Sequence, residues 1–147
     1  MKSLLTENGY SEIKERLNNL AEDSERLWGK MTIGQMAWHC KYPLKLAIDN
    51  KENNSKGNWF VKTFFKKSLY NDKPWRKNLP TAPQLRAKEP KDFKTEYEEL
   101  KNLVDTFYSI KEREVWYPHP AFGKFTKEQW GQMQYKHLDH HLRQFGA

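Results

Sequence analysis

The chain has 147 residues, a net charge of +7 and a 14% aromatic share that includes six Trp, enough for one domain, residues 1–147, around a continuous core. No apolar run reaches the roughly eighteen residues of a membrane span, and the single Cys40 has no partner for an internal disulfide. The opening Met1–Asn8 turns polar too soon for the apolar part of a secretory signal, so the expected compartment is a reducing cytoplasm.

Apolar residues at three- and four-residue steps predict a first helix from about Tyr10 to Ala21, with Ile13, Leu17 and Leu20 on its inner face. A second begins at Thr32-Ile33-Gly34-Gln35, which has capping-box form: a hydroxyl for the N3 amide and a Gln to reach back. Its apolar side runs through Ile33, Met36, Ala37, Cys40, Leu44, Ala47 and Ile48, and Pro43 predicts a kink or local break.

The next forty residues hold Gly57, Pro74, Pro80, Pro83 and Pro90 and read mostly as irregular. They also hold the basicity. Residues 51–90 contain ten Lys or Arg against three Asp or Glu, while the other 107 residues carry sixteen of each sign. Within this crossover Trp59 to Leu69 fits a short helix, with Phe60, Val61, Phe64, Phe65 and Leu69 on one side and Lys62, Lys66 and Lys67 toward the other. The expected arrangement docks the aromatics inward and leaves the lysines in water.

A third long helix is predicted from Asp92 to Ile110, with the stripe Phe93, Tyr97, Leu100, Val104 and Phe107. The last begins at a second capping box, Thr126-Lys127-Glu128-Gln129, and ends before Gly146. No hairpin pattern intervenes. The fold class is therefore all-α: a four-helix bundle with a long basic crossover between its second and third helices.

The last helix carries His137 and His141, four residues apart and hence on one face. At about 100° per residue both fall beside Trp130 at the edge of the buried side, while His140 turns further toward solvent. His39, on the shoulder of the second helix's apolar stripe, is the third candidate. Two ligands from one helix and one from another leave coordination positions open, as a catalytic metal requires. The pair lacks the neighbouring Glu of the His-Glu-x-x-His protease motif. Asp139, Gln134 and Gln144 are candidates to orient a ligating ring, with Asp139 pointing away from the pair. Cys40 reads as a small buried residue, and Trp38 and Tyr42 as core or pocket lining. His119, between Pro118 and Pro120, either braces the last helix or reaches the site as a general acid or base.

Trp28 and the string Met31-Thr32-Ile33-Gly34-Gln35-Met36-Ala37-Trp38-His39-Cys40 resemble the opening of the second helix in the DinB/YfiT-like superfamily. The strings His119-Pro120-Ala121-Phe122-Gly123 and His137-Leu138-Asp139-His140-His141-Leu142-Arg143-Gln144-Phe145-Gly146 resemble one of its uncharacterised subfamilies. The resemblance implies a four-helix bundle whose three histidines, here His39, His137 and His141, hold a divalent metal, zinc or nickel. Some members of that superfamily are transferases or isomerases that use a low-molecular-weight thiol, and the function expected here is a metal-dependent enzyme on a small molecule, a thiol-dependent transferase or a hydrolase. A homodimer is compatible with such a bundle. The rival readings are a non-catalytic, metal-stabilised bundle and a binding module whose basic 51–90 segment meets an anionic partner. Nucleic acid is the less expected of such partners, and a small-molecule substrate the more expected.

Overall fold

Local cap chemistry sets where the helices begin. The structure, a computed structural model, describes residues 1–147 apart from the side chains of Val61 and Gln84. Helix α1 spans Glu7–Asn18, and the Thr6 hydroxyl accepts from the Gly9 amide at 3.4 Å. It starts three residues before Tyr10, because the cap rather than the apolar stripe decides the first turn. Helix α2 spans Ile33–Asp49 and α5 spans Lys127–Gln144, each behind a complete capping box, Thr32 with Gln35 and Thr126 with Gln129. Helix α3, Trp59–Phe65, is short and passes into a 3-10 turn over Lys66–Leu69. Helix α4 spans Phe93–Ser109, and the Asp92 carboxylate accepts from the Thr95 amide at 2.8 Å. The chain is all-helical, with five α-helices and no strand among the described residues.

Helix α1 lies against α4 and α5, and α2 lies against the same two. Between them Leu4, Ile13, Leu17, Met36, Leu44, Leu100, Val104, Phe107, Trp130 and Leu138 are almost completely buried. Each such side chain contributes about 1.5–3 kcal/mol by leaving water. Polar ties fix the register: the Tyr97 hydroxyl donates to the Leu17 carbonyl at 2.9 Å, and Arg16 pairs with Asp139 at 2.8 Å. Lys41, itself buried, reaches across to Glu96 and Glu99 of α4. Helix α2 runs unbroken through Pro43. The proline lacks the N–H that would otherwise bond the His39 carbonyl one turn back.

The crossover folds back over α2 and α5. Lys136, buried on α5, donates to the Ser68 carbonyl at 2.6 Å and to the carbonyl and side-chain oxygens of Asn71 at 2.8 and 2.6 Å. At its far end the crossover meets α2 backbone to backbone: a Cβ on Gly34 would stand 2.1 Å from the Lys91 carbonyl oxygen. The expected inward docking of aromatics holds for Tyr70, which packs edge-on to Phe125, and for Trp75. It fails for α3, where Trp59, Phe60, Phe64 and Phe65 are all exposed. The helix packs mainly on the 3-10 turn that follows it, so no inner surface receives those rings. The Val61 side chain of that expected stripe lies outside the described residues. No described helix is long and apolar enough to cross a membrane.

Candidate metal centre

The unbroken run of α2 and the register of α5 bring His39, His137 and His141 together, with their candidate ligand nitrogens all within 4.8 Å of one another. The three residues are 5%, 8% and 6% exposed, and their ring centroids lie 4.8–4.9 Å apart. The Nε2 atoms of His39 and His137 are 3.0 Å apart. That approaches the roughly 3.3 Å edge of a tetrahedron with 2.0–2.1 Å metal–nitrogen bonds.

Hydrogen bonds around the trio fix two of its tautomers. His39 Nδ1 is 2.9 Å from the Leu85 carbonyl, which only accepts, so the proton sits on Nδ1 and Nε2 presents its lone pair. His141 Nδ1 is 2.9 Å from Gln144 Oε1. The Gln144 amide is oriented in turn, because its Nε2 donates to the Trp28 carbonyl at 2.9 Å. His141 Nε2 is thereby also left bare. His137 Nδ1 is buried and has no hydrogen-bond partner among the described residues. Two bare Nε2 atoms whose opposite nitrogens are held by carbonyl oxygens, with the His137 ring beside them, form a donor set that fits a divalent ion.

Burial keeps these rings neutral, the state a metal needs. It lowers the pKa of His39 against the Leu85 bond, which favours the charged form. Burial, then the neighbouring His141, His39 and His140, holds His137 well below the ordinary histidine value. Burial and His39 push His141 down to about 3.

The sequence places His140 toward solvent, but it is 7% exposed. Two tryptophans cover it edge-on, Trp28 at 5.9 Å and Trp75 at 5.5 Å between ring centroids. Trp75 also closes on His137 at 6.0 Å. Both come from irregular segments whose positions helical periodicity does not report. Gln144 reaches the trio. Gln134 instead donates to the Pro43 carbonyl at 2.8 Å, and Asp139 faces Arg16 and Arg143. Cys40 is fully buried beside Met36, and burial pushes its thiol far above the usual range. Tyr42 is exposed and Trp38 half-buried, so neither belongs to the core.

His119 packs against Trp130, Phe122 and Phe125 at the other end of α5. Its Nδ1 accepts from the Ala121 and Phe122 amides at 3.0 and 3.3 Å, and its backbone pairs with Gly123. Trp130 precedes His137 by two turns, roughly 10 Å along the helix. The structure thus seats His119 in the bend before α5 and not beside the trio. Sequence reasoning missed the Leu85 carbonyl; no side-chain pattern marks a backbone acceptor.

Comparison with curated proteins and with solved structures returns no match. One family does match, over residues 2–147, and it is described as a protein of unknown function, DUF1569. With its all-helical architecture and its three gathered histidines, the chain belongs to the DUF1569 family.

Proposed function

We propose that residues 1–147 form a single DinB-like four-helix bundle in which His39, His137 and His141 hold one divalent metal, zinc or nickel, for chemistry on a small molecule. The observation that carries this reading is the trio itself: two of its rings have Nδ1–H turned outward onto carbonyl oxygens, so Nε2 faces the common point. An ion bound only by neutral imidazoles keeps its full charge, and would acidify a bound water or hold a thiol cosubstrate as thiolate. Imidazole donors with a soft exchangeable ligand favour zinc or nickel over magnesium. The chain's own part is to orient the rings through Leu85 and Gln144 and to exclude water with Trp75 and Trp28. The reaction class is group transfer to or from a thiol, or hydrolysis, in a cytoplasmic protein able to pair as a homodimer.

A second reading has its own support. The trio is buried, and two surface cavities, of about 160 and 370 Å3, are lined by other residues. A closed site would make the metal purely structural, with His140, its ring centroid 5.1 Å from that of His141, as a candidate fourth donor.

Metal content by mass spectrometry on tag-free protein tests the site, beside His39→Ala, His137→Ala and His141→Ala. One zinc or nickel per chain, lost in each folded variant, is expected. No metal after reconstitution with zinc, nickel, manganese and iron would sink both readings. Cobalt substitution then separates them: the visible spectrum of an open site shifts when a thiol is added, and that of a closed site does not.

A further inference from the structure

Helix α3 breaks the rule that an amphipathic helix hides its apolar side. Trp59 is 74% exposed, Phe60 56%, Phe64 62% and Phe65 51%. Side chains of this size bury 150–250 Å2 each, so together they present on the order of 500 Å2 of aromatic surface. That is at the upper end of what a monomer leaves in water, and patches of this kind mark interaction sites.

The charges around it have one sign. From Asn53 to Asn71 there are four lysines and no Asp or Glu. Lys56, Lys62 and Lys67 are exposed, and so is Lys124 of the adjoining loop. Lys66 has another task. Its amine donates to the Lys124 carbonyl and lies 4.9 Å over the Phe125 ring. The Asn58 amide donates to the Ala121 carbonyl at 2.9 Å. These two ties hold the two ends of α3 on the loop before α5, so the aromatic side stands outward on a fixed base.

We infer that the exposed Trp59, Phe60, Phe64 and Phe65, ringed by Lys56, Lys62, Lys67 and Lys124, dock this protein on an anionic lipid surface. The chemistry matches on both counts. Rings enter the boundary between headgroups and acyl chains, while ammonium groups meet lipid phosphates and carboxylates. A single-stranded nucleic acid would share the charge attraction but needs separate rings with open faces. Here Phe60 is tilted against Phe64 and Phe65, with centroids 4.8 and 6.3 Å away. The three phenylalanine rings form one apolar cluster beside the exposed Trp59, which suits a lipid boundary better than successive bases.

Co-sedimentation with vesicles of phosphatidylcholine, with and without a third of phosphatidylserine, tests this at low and physiological salt. Binding is expected only with phosphatidylserine, and weaker at the higher salt. Lys62→Gln and Lys67→Gln should each weaken it about fivefold. The pair Phe60→Ser and Phe64→Ser should weaken it at least tenfold with unchanged helix content by circular dichroism. Absence of binding to phosphatidylserine vesicles at low salt overturns the inference, as does equal binding to phosphatidylcholine alone. So does full retention of binding in the folded double phenylalanine variant. A single-stranded oligonucleotide bound in preference to vesicles would reassign the patch to nucleic acid. A concentration-dependent dimer that the phenylalanine variant abolishes, without vesicle binding, would reassign it to a second copy of this chain.

Discussion

Gln144→Leu isolates the hydrogen bonds that orient His141. Gln144 is 3% exposed, accepts from His141 Nδ1–H at 2.9 Å and donates to the Trp28 carbonyl at 2.9 Å. Leucine has nearly the same volume but leaves both partners unsatisfied. Two lost hydrogen bonds cost about 2 kcal/mol, and stranding a buried donor and acceptor brings the total to roughly 2–4 kcal/mol of stability. The effect on the metal is separate. An imidazole that no longer donates from Nδ1 is a weaker base at Nε2 and is free to rotate, which for such partners lowers affinity 10–100-fold. The assay is zinc competition against a chromophoric chelator at fixed pH, with thermal unfolding of the metal-free protein alongside. Gln144→Glu serves as the control: it restores an acceptor at His141 and should recover most of the affinity even if stability stays low. A folded Gln144→Leu protein with unchanged zinc affinity would refute the argument that this bond orients a ligand.

Three further expectations concern other parts of the fold. Burial, then Lys66, lowers the His119 pKa to about 4, below the ordinary 6.5. The unfolded chain therefore binds the proton first as pH falls, so stability holds above about 6.5 and declines toward 4, by at most roughly 3 kcal/mol. Site-resolved NMR of the His119 ring should give a midpoint near 4, and a midpoint near 6.5 would contradict its burial as an acceptor of two amides. Gly34→Ala should destabilise by about 1–3 kcal/mol, because its Cβ meets the Lys91 carbonyl oxygen at 2.1 Å. An alanine normally stabilises a helix relative to glycine, so a higher melting temperature would show that the crossover yields there. Trp75→Ala removes the ring over His137 and His140 and should speed zinc loss to a chelator about tenfold while helix content is kept; an unchanged rate would mean that Trp75 does not gate the site.

The parts of this fold written in short-range chemistry could be read directly. Thr32 with Gln35 and Thr126 with Gln129 act within one turn, and both boxes are present. The spacing of His137 and His141 is likewise a property of one helix, and it put the pair on a single face. What depended on distant segments could not be read. The burial of His140 comes from Trp28 and Trp75, and the acceptor for His39 comes from Leu85, all outside the histidines' own helices. The aromatics of α3 show the reverse case. Their spacing suggested a buried side, but no neighbour was positioned to cover it.

His39 and His137 meet across 98 positions of sequence. An ion gripping both would close a loop of that size, and by the arithmetic used for disulfides this removes on the order of 4–5 kcal/mol of freedom from the unfolded chain. In a protein with one cysteine the trio offers the long-range cross-link that sulfur cannot. Unlike a disulfide, it is reversible and graded: above its dissociation constant, each tenfold rise in free metal adds about 1.4 kcal/mol to folding. The lifetime of the folded chain would then follow the metal supply around it, and starvation for the ion would loosen the fold itself.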